Sequence, residues 1–178
     1  MGDASEFFAR QNTALIVAVP EAEEAVARWR TEYDESASFG VPAHVTILFP
    51  WLPRRRVDDE ALAGVAELMA GFEPFTVDFP RIERVPEVIW LRPSPDTGFR
   101  ALTDAVWKRW PDHPPYGGRF DDVVPHLTVA EGDVSSFPDE IEDTIRPHLP
   151  IRTVVDEVEL IRFARGRWEV TDRFPLGG

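Results

Sequence analysis

The feature that most constrains this chain is a short pattern that occurs twice: Ala43-His44-Val45-Thr46-Ile47 and Pro125-His126-Leu127-Thr128-Val129. Both copies sit in apolar surroundings that read as strands. A strand sends residues i and i+2 to one face, so each copy presents an imidazole beside a hydroxyl while Val45 or Leu127 points into the core. A lone His-x-Thr is more often a hydrogen-bonded structural histidine than a catalytic one. Two copies in equivalent strands make one four-group site, with His44, Thr46, His126 and Thr128 as the candidate catalytic residues. Cleavage of a phosphate ester needs a base on the attacking side, an acid on the leaving side and donors around the oxygens between them. Two imidazoles and two hydroxyls supply that set.

The elements around the motifs repeat as well. Thr13 to Pro20 is an apolar strand, and Glu21 to Tyr33 has helical spacing with acids early. The first motif strand spans Pro42 to Pro50, a helix is predicted over Val57 to Met69, and Phe75–Val85 with Glu87–Arg92 reads as a hairpin turning near Val85-Pro86. Past the breakers Pro93-Ser94-Pro95-Asp96 come a helix over Asp96 to Trp110, a long polar loop and the second motif strand. A helix over Pro138 to Pro147, a strand from Ile151 to Phe163 and a closing strand from Arg167 to Phe174 follow, with Arg165-Gly166 at the last turn. The order is helix, motif strand, helix, hairpin, twice. An offset of 78 pairs Val77 with Val155, Asp78 with Asp156, Arg84 with Arg162 and Trp90 with Trp168, while the motifs align at 82; both offsets fit one duplication. Two half-domains, each a sheet with covering helices, would join about an approximate two-fold within one domain over 1–178, its lobes built from roughly 20–92 and 96–174. The two motifs would then face each other across that axis.

Composition narrows the chemistry. A net charge of -13 argues against a protein that grips long duplex nucleic acid, whose non-specific affinity comes from phosphate neutralisation by Lys and Arg. Lys108 is the only lysine; the other cations are arginines, bunched at Arg54-Arg55-Arg56 and at Arg162, Arg165 and Arg167. Arginine suits bidentate phosphate recognition, which makes Arg54 and Arg162 substrate-binding candidates. The absence of cysteine excludes disulfides, thiolate chemistry and cysteine-ligated metal centres, leaving histidine as the side chain poised to titrate near neutrality. No apolar run approaches the ~20 residues of a membrane span, and Met1 to Arg10, with Asp3 and Glu6, lacks the basic and apolar blocks of an export signal. A cytoplasmic monomer is the expectation. Among the aromatic residues near the motifs, Tyr116 in Pro114-Pro115-Tyr116-Gly117-Gly118 is placed to rim a cleft, and Tyr116 and Phe49 are the candidates for stacking on a base. Trp90 and Trp168, at matched repeat positions, read as core, and His113 and His148 as surface. A metallohydrolase would need three or more ligands, and no HxH or HExxH spacing supports one. No metal and no cofactor are expected.

With HVTI and HLTV in two equal halves, the chain resembles the two-histidine (2H) phosphoesterase superfamily, in particular its bacterial 2'-5' RNA ligase-like (LigT-like) group. The similarity runs from about Thr13 to Phe174 and is closest over Val41 to Pro50. It implies an α+β, bilobal duplicated fold in which two antiparallel sheets line a central cleft with helices packed outside. It also implies a metal-independent phosphoesterase that hydrolyses a 2',3'-cyclic phosphate or a 2'-5' phosphodiester of a nucleotide or RNA end, with ligase activity as a further property of the group. The roles it implies are His126 as base, His44 as acid, and Thr46 and Thr128 as donors to the non-bridging oxygens. Many members carry a basic residue shortly after each motif; here Ile47-Leu48-Phe49 and Ala130-Glu131 follow instead. Glu131 near the cleft would repel a second phosphate, which counts against a polynucleotide substrate and against ligase activity; a small nucleotide or RNA terminus is the expected partner. The alternative is a non-catalytic phosphate- or nucleotide-binding module on the same fold.

Overall fold

The computed structural model describes residues 13–177. The Met1 to Arg10 stretch lies outside them. Eight strands, β1 (Thr13–Ala18), β2 (His44–Leu48), β3 (Phe75–Val85), β4 (Val88–Ser94), β5 (Leu127–Glu131), β6 (Ile151–Val155), β7 (Glu157–Ala164) and β8 (Arg167–Pro175), form two four-stranded antiparallel sheets. Around them lie the helices α1 (Glu23–Tyr33), α2 (Glu35–Ser38), α3 (Asp59–Ala70), α4 (Thr97–Arg109) and α5 (Glu140–Ile145). The fold is α+β, with strand orders β2-β1-β7-β8 and β5-β4-β3-β6. Each order begins on a motif strand, so the two motifs occupy sheet edges.

Local chemistry sets the elements where the sequence predicts them. α3 starts where the Asp58 carboxylate accepts the Ala61 N–H at 2.9 Å, with Asp59 and Glu60 in its first turn favoured by the helix dipole. Past Thr13, β1 is apolar because it is covered on both faces. Leu15 and Val17 enter the main core with Val26, Trp29, Val45, Ile47, Phe99, Leu102 and Leu127, whereas Ala14 and Ile16 join a second cluster with Val41, Ile161, Phe163 and Trp168. Side chains of that size contribute roughly 1.5–3 kcal/mol each when fully buried, so the shared main core holds the two sheets together. Polar ties fix the helices to the strands: Thr103 of α4 donates to the Ile47 carbonyl at 2.9 Å, and the Trp29 indole of α1 donates to Thr144 of α5 at 2.8 Å.

The sheets are not the two sequence halves. β1 and β2 pair with β7 and β8 from the far end of the chain, and β3 and β4 pair with β5 and β6, so the proposed lobes 20–92 and 96–174 exchange strands. The stretch predicted as one strand from Ile151 to Phe163 is two, broken at the exposed Asp156. There the chain leaves one sheet and enters the other, which a continuous strand cannot do. Helices cross over too: α1 packs against β5 and α4 against β2, and β2 and β5 lie alongside one another. This exchange brings two segments 82 residues apart to one place.

Candidate active site

Burial alternates along both motif strands as a period of two requires. His44 and Thr46 are half-buried while Val45 and Ile47 are fully buried, and His126 and Thr128 repeat the pattern against Leu127 and Val129. The two histidines are held by the same device. His44 Nδ1 lies 2.8 Å from the Pro42 carbonyl and His126 Nδ1 lies 2.8 Å from the Val124 carbonyl, each two residues upstream. A carbonyl only accepts, so Nδ1 carries the hydrogen in both rings and the lone pair of each neutral imidazole is on Nε2. The rings are close enough for His126 to act electrostatically on His44.

Their surroundings differ. Burial pushes the His44 pKa down to about 4, and the Arg30 guanidinium adds to this against the opposing effects of the Pro42 bond and Asp34. Arg30 is itself 2% exposed. Its Nε donates to Asp34 at 3.0 Å, and Nη2 donates to the Val41 carbonyl at 3.2 Å and to Ser36 at 3.3 Å. The cation thus sits locked beneath the first motif. His126 is also lowered by burial, offset by its bond to Val124, but its ring lies against Trp90 with centroids 4.6 Å apart. Trp90 stands opposite Thr128 in the β4–β5 register, and its indole N–H donates to Glu83 at 3.1 Å. The core reading of Trp90 is therefore overturned, because equal sequence offset is not equal position. Trp90 is on β4 beside a motif strand, whereas Trp168 is on the outer strand β8, buried against Phe163 and Phe49.

Tyr116 lies beside the first motif. Its hydroxyl shares a hydrogen bond with that of Thr46, and desolvation pushes its phenol pKa up. The loop is held by the Tyr116 N–H donating to the Phe49 carbonyl at 2.6 Å, with Tyr116 and Gly117 both in the left-handed region. Phe49 serves this contact through its backbone, while its ring packs edge-on against Trp168 with centroids 6.1 Å apart. The two arginine candidates sit on different elements. Arg162 stands opposite Thr13, on the face of the sheet that carries Leu15 rather than Thr46, and pairs with Asp172 at 3.6 Å. Arg54 is in the turn after Trp51, whose N–H bonds the Thr13 carbonyl. Thr13 is at the opposite end of β1 from Ala18, the partner of His44. Both residues were drawn from clusters in sequence, and strand register puts Arg162 on the face away from Thr46.

Two further residues shape the site. Glu131 acts on Tyr116 and is itself pushed up by desolvation and by the carboxylates of Asp34, Glu35 and Glu87. Arg100 of α4 bonds Asp96 at 2.9 Å, Asp122 at 2.7 Å and the Val123 carbonyl at 3.3 Å, pinning the segment that ends in the Val124 carbonyl beneath His126. His113 is half-buried beside Arg56 at 3.4 Å rather than fully at the surface, and His148 is exposed. Among the described residues no three His, Asp or Glu side chains converge to hold a metal ion, and no helix is long and apolar enough to cross a membrane.

A family model described as the 2'-5' RNA ligase superfamily matches residues 18–167, a span containing both motifs. The chain belongs to the 2'-5' RNA ligase superfamily. The solved structures it is similar to agree in fold. E. coli LigT complexed with 3'-AMP is 18% identical with a TM-score of 0.63, covering 94% of this chain and 99% of LigT. LigT complexed with NADP+ is 21% identical with a TM-score of 0.60, over 95% and 99%. The Thermus thermophilus protein TT0787 is 19% identical with a TM-score of 0.60, over 94% and 98%. No curated protein is similar enough in sequence to count as a relative. Membership of the 2'-5' RNA ligase superfamily supports a phosphoesterase-type enzyme.

Proposed function

We propose that this 2'-5' RNA ligase superfamily member is a monomeric hydrolase that opens a 2',3'-cyclic phosphate or a 2'-5' phosphodiester of a small nucleotide or RNA end by histidine general acid-base catalysis. The observation that carries this reading is the matched pair of Nδ1–H bonds to Pro42 and Val124, which leaves two Nε2 atoms of defined tautomer, each beside a threonine hydroxyl. That LigT has been solved with 3'-AMP, NADP+ and ATP supports a small nucleotide as the ligand class. In the reaction one imidazole takes a proton from water as its oxygen bonds to phosphorus. The other, as imidazolium, protonates the ribose oxygen as its bond to phosphorus breaks. Thr46 and Thr128 donate to the non-bridging oxygens.

The resemblance allots the base to His126 and the acid to His44. Two features support the reverse for this chain. Arg30 beneath His44 favours its neutral, proton-accepting form, and the face of Trp90 against His126 favours an imidazolium there. A panel of 2',3'-cyclic nucleotides tests the activity, with the double histidine variant as control; binding without turnover by the wild-type protein would replace the enzyme reading with a binding module. An activated aryl phosphodiester tests the roles, since its leaving group needs no acid. His126→Ala is expected to keep most of the wild-type rate on that ester, and His44→Ala to lose it. The opposite result would restore the order implied by the resemblance.

A further inference from the structure

We propose that the groove formed by Arg81, Arg92 and Ser94 beside His126 binds a second phosphate group of the substrate. The inference rests on the reading of the paired His-x-Thr motifs as the site of the scissile phosphate. It extends that reading to a nucleotide carrying another phosphate on the His126 side.

Register carries the placement. Trp90 stands opposite Thr128 and Leu91 opposite Leu127, so the next residue of β4, Arg92, comes level with His126. On the other side of β4, Arg81 stands opposite Arg92 and Glu83 opposite Trp90. Ile89, Leu91 and Leu127 fill the main core on the helix-covered face, which puts Arg81, Glu83, Trp90 and Arg92 on the face that carries His126 and Thr128. A groove of about 250 Å³ opens there, with Arg81, Arg92, Ser94 and Asp96 in its lining. Whole-ligand sites run to roughly 300–1,000 Å³, so this one suits a group such as a phosphate rather than a complete nucleotide.

Its charge departs from the rest of the molecule. Glu83 is committed to Arg81 at 2.6 Å and to the Trp90 indole at 3.1 Å, and Asp96 to Arg100 at 2.9 Å. Arg92 lies near enough to Glu83 to act on it, yet takes no ion-pair partner of its own among the described residues. A guanidinium facing a groove without a carboxylate partner is the donor set that a phosphate takes up. On the other side of the motifs the balance is inverted. Glu131 lies there, its ionisation made costlier by desolvation and by the nearby carboxylates of Asp34, Glu35 and Glu87. In a chain of net charge -13, a doubly charged substrate therefore has one favoured orientation, its second phosphate toward β3 and β4 and away from Glu131.

The test compares two probes, adenosine 3'-phosphate and adenosine 3',5'-bisphosphate, by calorimetric titration at low ionic strength. Wild-type protein is expected to bind the bisphosphate about tenfold more tightly, the scale of one charge-assisted hydrogen-bond pair. In Arg92→Ala the ratio of the two affinities should fall close to one. Arg92→Lys should keep part of it, and Arg146→Ala, an exposed arginine paired with Asp143 and outside the groove lining, should leave it at the wild-type value. A ratio near one in the wild type, or a ratio unchanged in Arg92→Ala, overturns the inference. Because the readout is binding, it survives a failure to detect hydrolysis: a discriminating but inactive protein would retain the subsite and retire the catalytic reading instead.

Discussion

The Trp90 ring lies against the His126 imidazole with centroids 4.6 Å apart and planes inclined by 37°. At the corresponding place beside the first motif, opposite Thr46, stands Ile16. The two histidines thus share a tautomer and a backbone clamp but not a neighbour. Indole on one side and a buried guanidinium on the other polarise a pair that the duplicated motif alone would leave equivalent.

On the proposed mechanism Trp90 is a positioning residue for His126. Trp90→Ala removes the π face that favours the imidazolium, so the His126 pKa drops and the alkaline limb of the kcat/KM profile moves to lower pH by about 0.5–1 unit. Trp90→Phe should keep most of the rate and most of the limb. A Trp90→Ala enzyme with lower kcat but an unshifted profile would make the tryptophan a packing residue only.

Both imidazoles are lowered by burial, and this sets the pH range of the free enzyme. On the proposed roles the base must be neutral and the acid protonated, so kcat/KM is expected to rise as His44 loses its proton near pH 4 and to decline as His126 loses its own below the ordinary 6.5. A bell on the acid side of neutrality is expected from initial rates across pH 3.5 to 8. An optimum above pH 7 would count against it.

The same depression links His44 to stability. Between about pH 4 and 6.5 the unfolded chain binds a proton that the folded His44 refuses, so stability is complete above 6.5 and declines as pH falls through that window. The loss from this group is at most about 3 kcal/mol, at 1.36 kcal/mol per pKa unit. Urea denaturation of wild type and His44→Gln over that range is the check; the variant should show the flatter dependence.

Arg30 and Asp34 form a buried pair, at 2% and 4% exposure, beneath the first motif. Arg30→Met strands the Asp34 carboxylate and is expected to cost about 3–5 kcal/mol in chemical denaturation. It also removes the cation that depresses His44, so the acid limb of the rate profile moves up toward 6.5. A stable variant with an unmoved limb would sever Arg30 from the chemistry.

Tyr116→Phe deletes the hydrogen bond to Thr46 while keeping the ring beside Phe120, 5.6 Å away by centroid. A neutral hydrogen bond is worth about 1 kcal/mol, so kcat/KM is expected to fall roughly fivefold. If the aromatic face instead stacks on a base, Tyr116→Ala should raise KM for nucleotides far more than for a non-nucleotide phosphodiester.

The sequence by itself determined what is local. Alternation of period two around His44 and His126 decides which side chains share a strand face, and acids, prolines and apolar spacing decide where helices begin; both need only a few neighbouring residues. Tertiary structure decided everything that depends on which strands pair. The break at Asp156 is invisible in an apolar run, because only the choice of sheet distinguishes β6 from β7. Trp90 looked like core because its repeat partner is core, and strand order placed it on His126. Arg30 reads as an ordinary helical residue until α1 packs against β5 and carries it beneath a strand 14 residues further on. Arg162 looked like a phosphate ligand by charge, and register put it on the opposite face from Thr46 while bringing Arg92 level with the site. Strand pairing is a long-range free-energy balance, and no short window of sequence contains both of its partners.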